Sequence, residues 1–330
     1  MQERRDMNKF QIVYVVTFSE DNYYFEQALL SICSARIYHP DADILMLTDS
    51  VSSTRIDGWR KRALEEYRCQ VLVADVPDTF NMLERSRFLK TSLRERIEGD
   101  YLFIDTDTII CRPLYEITEN EGDVCAVLDR HVRWHENEYL IFADDRLKRV
   151  GFPIADGDAY FNSGVMYVRD TPAAHEFYQE WSDLWRITLD KGFHYDQLSM
   201  HQANVNCGHI IKEMNGKWNC QLGGLFLNYL HGAYIIHYYA SSNIDKHKLY
   251  KFKYEDTYLE VRKHQGITPG LKDAILHPYE QFYNNYMILN GWTLDLYESC
   301  HACIELCNES PRRFGIIDRL ARWLRRTYKK

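Results

Sequence analysis

Tyr101-Leu102-Phe103-Ile104-Asp105-Thr106-Asp107-Thr108-Ile109-Ile110 sets apolar runs on both sides of an acidic step. The first run predicts a strand. Read as extended chain, the segment delivers two carboxylates two positions apart, on one side of the strand. One hard cation could take both, and oxygen donors of this kind suit Mg²⁺ or Mn²⁺, which complete their coordination with substrate phosphates. Asp and Thr are also good turn formers, so the same step reads equally as an Asx turn closing the strand. The motif alone leaves both readings open.

Upstream, short β-branched runs alternate with helical patterns. Residues 11–17 read as a strand, 23–38 as an amphipathic helix stopping before Pro40, and 44–48 as a second strand. A charged surface helix over 57–67, a third strand over 70–74 and a long helix over 83–97 precede the acidic strand at 101–104. Four alternations predict an α/β chain with helices on the faces of a sheet. In such sheets ligands bind outside the carboxyl ends of the strands, where Asp105 and Asp107 fall.

Downstream, strands over 124–128, 159–168, 210–213 and 234–238, with a helix over 172–189 bearing Trp181 and Trp185, make the expected central sheet mixed. From about residue 251 the chain reads as helical and Tyr-rich. The expected organisation is therefore a sheet domain over 1–250 and a helical C-terminal region over 251–330.

Composition narrows the class. The 330 residues are 45% hydrophobic, 14% aromatic and 27% charged, an ordinary globular balance that excludes a disordered or collagen-like chain. The longest apolar runs, such as Ile12 to Val16, fall short of the ~18 residues a bilayer span needs. The charged segment Met1 to Lys9 precedes an apolar stretch too short for a signal-peptide core, so the expected location is the cytoplasm. Nine cysteines, an odd number, point to reduced thiols. The net charge is −8, but residues 311–330 hold eight Arg or Lys against one Asp. The body therefore carries −15, which argues against nucleic acid as a partner.

A series of polar elements in order resembles the family-8 glycosyltransferases, in particular the bacterial hexosyltransferases of lipopolysaccharide synthesis. The elements are Val15-Val16-Thr17 with Glu20-Asp21-Asn22-Tyr23, Arg87-Phe88-Leu89-Lys90, Asp105-Thr106-Asp107, Leu128-Asp129, Ala155 to Val165 around Asn162, Asp196-Gln197 and Ile236-His237-Tyr238. The resemblance spans roughly residues 11–240. It implies the glycosyltransferase A fold, an α/β architecture with a mixed central sheet flanked by helices, here followed by the helical C-terminal region. It further implies retaining transfer of a hexose from a nucleotide sugar, UDP-glucose or UDP-galactose, to a glycan or lipid-linked acceptor in cell-envelope polysaccharide synthesis.

By the same resemblance, Asp105, Asp107 and His237 would hold Mn²⁺ or Mg²⁺, which neutralises charge growing on a diphosphate leaving group. Thr17, Asp21, Asn22 and Tyr23 would meet the nucleotide, with Arg87, Lys90 and Thr106 on the donor side. Asp129, Asn162, Asp196 and Gln197 would surround the transferred sugar. Each residue also has a plainer reading. Asp196 could cap the helix beginning near Gln197, Asp129 could end a strand, His237 could pack at a strand end, and Arg85, Arg87, Lys90, Arg94 and Arg96 could form a solvated helix face. A catalytically silent nucleotide- or glycan-binding protein and a metal-dependent phosphohydrolase are the rival functions. One departure is that the position of the family's diphosphate lysine after His237 holds Asn243, with Lys246 and Lys248 nearby.

Cys300, Cys303 and Cys307 stand at helical spacing and read as helix core, without zinc. In the tail over 311–330, Ile316, Ile317, Leu320, Trp323, Leu324 and Tyr328 recur at helical spacing among arginines. A basic amphipathic helix of this kind suits an anionic membrane surface, which would make the protein peripheral on the inner face of the cell membrane. Docking of its apolar side on the rest of the protein is the alternative.

Overall fold

In the computed structural model, which describes residues 10–134, 147–152, 159–222, 226–238, 250–282, 306 and 310–327, the chain opens with the expected alternation. It runs β1 (Gln11–Val15), α1 (Tyr24–Tyr38), β2 (Ile44–Asp49), α2 (Gly58–Glu66), β3 (Cys69–Ala74), α3 (Met82–Thr91) and β4 (Tyr101–Ile104). There follow β5 (Thr108–Ile110), β6 (Val124–Leu128), β7 (Phe161–Val168), α4 (Pro172–Asp190), α5 (Gln197–Asn206), β8 (Ile211–Glu213), β9 (Cys220–Gln221) and β10 (Ile235–His237). The helices α6 (Glu255–His264) and α7 (Pro269–Leu276) come next.

Seven strands form a mixed central sheet in the order β3-β2-β1-β4-β7-β6-β8. The first four in that order are mutually parallel, while β7 runs antiparallel to both β4 and β6. The chain moves outward from β1 to β3 and then returns to β4 on the other side of β1. The strand order thus reverses between β1 and β4, the kind of switch point where open sheets take ligands at their carboxyl ends. A second sheet, β5-β10-β9, begins with β5, which three residues separate from β4.

Apolar runs account for the sheet's centre. All four β4 residues and all five β6 residues are buried, in a core that joins Val13, Leu47, Leu89, Phe103, Met166, Phe177 and Trp181. In contrast β3, at the edge, leaves its four middle residues exposed. Helix α4 begins with Pro172 behind Thr171, whose hydroxyl accepts from Ala174 N–H, a favourable helix start. Its tryptophans then hold the chain that follows: Trp181 Nε1 donates to Asp196 O at 2.9 Å and Trp185 Nε1 to His194 O at 3.3 Å.

The long helix expected over 83–97 instead ends at Thr91 and continues as a short 3₁₀ turn, Leu93–Glu95. Ser92 Oγ donates to Phe88 O at 2.7 Å, a local competitor for the helical ladder. Arg94 is turned inward, donating to the carbonyls of Gly99 (2.9 Å) and Ile97.

The chain divides into two compact units, residues 1–281 and 282–330. Within the first, Arg262 of α6 pairs with the buried Glu26 of α1 at 2.7 Å. In the second, α8 (Pro311–Thr327) leaves Ile316, Leu320 and Trp323 more than half exposed. Among the described residues no helix is long and apolar enough to cross a membrane. Cys300, Cys303 and Cys307 lie outside the described residues, as does Tyr328.

Candidate functional site

The two carboxylates of the acidic step come from a turn, which corrects the expectation that strand alternation aligns them. Pairing of β4 with β7 stops at Ile104, and the next backbone bond is Asp105 N–H to Gly164 O at 2.7 Å. Thr108 Oγ1 then donates to Asp105 O at 2.9 Å, closing the turn before β5. β10 pairs antiparallel with β5, placing His237 opposite Thr108, and Tyr238 N–H donates to Asp107 O at 2.8 Å. This register brings His237 Nε2 to 3.1 Å from Asp107 Oδ1 across 130 positions of sequence. Donor atoms of Asp105, Asp107 and His237 all lie within 4.8 Å of one another.

This donor set fits a divalent cation such as Mn²⁺, which accepts carboxylate and imidazole together. The backbone next to it is cut to size. A Cβ at Gly164 would stand 2.4 Å from His237 Cε1 and 2.8 Å from Asp105 Oδ2, so only glycine permits the approach. The imidazole is 3% exposed. Burial pulls its pKa down, but the Asp107 and Asp105 carboxylates outweigh that and raise it. On the other ring edge, Nδ1 meets Asn219 Oδ1 at 2.9 Å.

A bulge in β7 supplies the next groups. Its pairing with β6 jumps from Ala126↔Met166 to Val127↔Asn162, so Ser163, Gly164 and Val165 have no β6 partner. Bulges of this kind re-aim side chains at the rims of sheets. Asn162 Nδ2 donates to Asp129 Oδ1 at 3.0 Å, while its Oδ1 accepts from Gly164 N–H and from Asn219 Nδ2, both at 2.9 Å. Ser163 Oγ donates to Asp196 Oδ2 at 3.0 Å. Asp129 follows the last residue of β6 and opens a short 3₁₀ turn, in which Arg130 and His131 take left-handed φ values of 54° and 64°. Gln221 braces that bend by accepting from Arg130 N–H and donating to Leu128 O, each at 2.9 Å.

Asp196 precedes α5 without capping it: its side chain accepts no bond from the helix. The carboxylate faces Arg87 Nε at 3.0 Å and Lys90 Nζ at 3.3 Å instead. Burial pushes its pKa up, yet Lys90 and Arg87 overcome this and hold it at about 2. Lys90 also reaches Asp105 Oδ1 at 3.3 Å and donates to Ser163 Oγ at 3.0 Å. The solvated basic face read from sequence is therefore corrected: Lys90 and Arg94 are 2% and 1% exposed. A capping box, Asn81 with Glu84, starts α3 and places Arg87 and Lys90 three residues apart on one face.

The opening turn lies at the end of β1. Thr17 is buried and its hydroxyl donates to Met82 O at 3.0 Å. Tyr23 stacks on Tyr258 of α6 with ring centroids 5.3 Å apart and donates to Glu255 Oε1 at 2.7 Å, while Arg262 donates to Asn22 O. Tyr258 OH accepts from Gln27 Nε2, whose Oε1 accepts from Thr106 Oγ1, both at 3.4 Å. The turn is thus tied to the acidic step through α6. Asp21 is exposed and Gln197 half-buried, and neither joins the hydrogen-bonded cluster around Asp105 and Asp196 described above.

Asn219 and Gln221 escaped the sequence reading. Neither sits in a periodic or charged pattern; the only local sign is a polar residue beside Trp218 in a 3₁₀ turn. Residues 155–158 of the expected sugar-contacting stretch, and Asn243, Lys246 and Lys248, lie outside the described residues.

No family model and no curated protein matches the chain. Among solved structures, the apo form of mouse xyloside xylosyltransferase 1 aligns over 72% of this chain and 99% of that chain, with a TM-score of 0.47 and 15% identity. A likeness of that size adds nothing to the geometry above.

Proposed function

We propose that the protein is a metal-dependent glycosyltransferase of the glycosyltransferase A fold that transfers a hexose, with retention, from a UDP-sugar to a glycan or lipid-linked acceptor in envelope polysaccharide synthesis. The carrying observation is the meeting of Asp105, Asp107 and His237 at the carboxyl end of β4, beside the switch point of the sheet. A cation held there would stabilise charge on a departing diphosphate. The residues around it suit the remaining tasks.

Arg87 and Lys90 are fixed cations beside that position, and Lys90 reaches Asp105 directly. They provide diphosphate-side charge where the family lysine is replaced by Asn243. Asp129, Asn162 and Asp196 present acceptors and an amide to sugar hydroxyls, with Gln197 next to Asp196. Asp196, ionised at any physiological pH, serves as a hydroxyl acceptor and charge stabiliser, and leaving-group phosphate takes the acceptor's proton. Thr17, Asp21, Asn22 and Tyr23 face the nucleotide from the end of β1, with Thr106 between. The donor-binding role is assigned to residues 1–250 and the helical region to 251–330, of which residues 251–281 share the compact unit of the donor side, and the tail over 311–330 rests on an anionic membrane surface.

Thermal unfolding with nucleoside diphosphates and sugar donors, each with and without Mn²⁺, tests this reading. A ligand at about 100 times its dissociation constant stabilises by ~2.7 kcal/mol. The expected result is a rise in midpoint with UDP or one UDP-sugar only when Mn²⁺ is present, absent in Asp107→Asn. No shift with any nucleotide under any metal would leave a silent binder of glycans as the better description.

A further inference from the structure

We propose that Asn219 is a positioning residue for His237: through a chain of hydrogen bonds of fixed polarity it keeps the proton on Nδ1 and aims the Nε2 lone pair at the cation position. The inference rests on the reading of Asp105, Asp107 and His237 as a cation site.

The polarity follows from the two ends of the chain. Gly164 N–H can only donate, so the Asn162 atom 2.9 Å from it is the carbonyl oxygen. The other Asn162 atom is then the amide nitrogen, in keeping with its 3.0 Å contact to the Asp129 carboxylate. Asn162 Oδ1 needs a donor from Asn219, which the Asn219 amide nitrogen supplies at 2.9 Å. The Asn219 oxygen is left facing His237 Nδ1 at 2.9 Å, and an oxygen there requires Nδ1 to carry hydrogen. Nε2, 3.1 Å from Asp107 Oδ1, is the nitrogen that gives up its proton when a cation enters.

The geometry leaves no slack. Asn219 is wholly buried, and the His237 ring lies against the β7 backbone at Gly164, where a Cβ would come within 2.4 Å. The same chain ends on Asp129, the carboxylate assigned to the sugar, so one set of bonds orients a group on each side of the donor. Asn219 touches neither cation nor substrate in this scheme; it acts through the imidazole.

The test uses the full chain with Asn219→Leu and Asn219→Asp. Mn²⁺ affinity is read from the electron paramagnetic resonance of free Mn²⁺, and the His237 ring nitrogens from ¹⁵N shifts of the Mg²⁺-loaded protein. Asn219→Leu is expected to weaken Mn²⁺ binding by about 10–100-fold, as for other groups that orient a metal-ligating histidine. Asn219→Asp, which keeps an acceptor for Nδ1–H, binds more tightly than Asn219→Leu. Equal affinity in Asn219→Leu and wild type, or equal weakening by the two variants, overturns the proposal. Should Asn219→Leu fail to fold, wild type alone decides, since a bare Nδ1 in the Mg²⁺-loaded protein contradicts the scheme. If wild type takes no Mn²⁺, the cation reading fails, and the relay is judged on metal-free protein below the pKa of His237. There the Nδ1 proton should resonate further downfield in wild type, where Asn219 Oδ1 accepts it, than in Asn219→Leu; the same shift in both refutes the relay.

Discussion

Lys90 Nζ lies 3.3 Å from Asp196 Oδ2, with the two side chains only 3% and 5% exposed. Charges at that depth are tolerated because each compensates the other, and removing one partner of a buried pair costs about 3–5 kcal/mol. Lys90→Met should therefore destabilise by about that amount in urea unfolding at neutral pH, with donor binding weakened too. Adding Asp196→Leu should recover part of the loss. A Lys90→Met variant as stable as wild type would show that Arg87 alone satisfies Asp196.

Gly164 is required by contact rather than by its own backbone angles. Gly164→Ala would press a methyl group on His237, Asp105 and Asn162 at 2.4 to 2.9 Å, and overpacking of this kind costs about 1–3 kcal/mol. We expect a loss of that size in denaturant unfolding together with loss of Mn²⁺-dependent nucleotide binding. Gly266→Ala, where an added Cβ meets nothing within 4 Å, is the control and should change neither.

Acid should weaken the fold through two buried histidines, His39 and His131, the second of them close enough to His237 to feel its charge. Burial, and Arg36 beside it, lowers His39 from 6.5 to about 4, and its Nε2 accepts from Leu114 N–H at 2.8 Å. Burial likewise lowers His131 to about 4, where its Nε2 accepts from Gln221 N–H at 3.1 Å. Between pH 6.5 and 4 the unfolded chain binds these protons and the folded chain does not. Stability is thus full above pH 6.5 and falls as pH drops toward 4, by about 3 kcal/mol per histidine. Urea unfolding across that window should show the decline, and His39→Gln should make it shallower. A flat profile in wild type would refute the assignment.

The tail over 311–330 should direct the protein to anionic bilayers. Ile316, Leu320 and Trp323 are exposed on α8, in a segment of net charge +7. Full-length protein is expected to sediment with vesicles containing phosphatidylglycerol and not with neutral phosphatidylcholine, with binding reduced by salt. Leu320→Glu with Trp323→Glu should lower that binding by at least about tenfold, the equivalent of losing ~1.4 kcal/mol of apolar burial. Equal sedimentation of variant and wild type would count against the membrane role.

The alternation of β1 to β4 and the acidic step were legible in the chain because both depend on local pattern: runs of apolar residues make strands, and helical periodicity covers a face. The sequence by itself determined which side chains end those strands. What it left open was decided by contacts between distant segments. Asp105 and Asp107 meet through a turn held by the Gly164 carbonyl and the Thr108 hydroxyl, and His237 joins them only because β10 takes one register on β5. Lys90 and Arg94 read as solvated until the packing of α3 and of the 3₁₀ turn after it buries them, since the cost of burying a charge depends on partners that local pattern does not reveal. Asn219 is the clearest case. It lies 57 positions from Asn162 and 18 from His237, and only the folded chain gives its amide a direction.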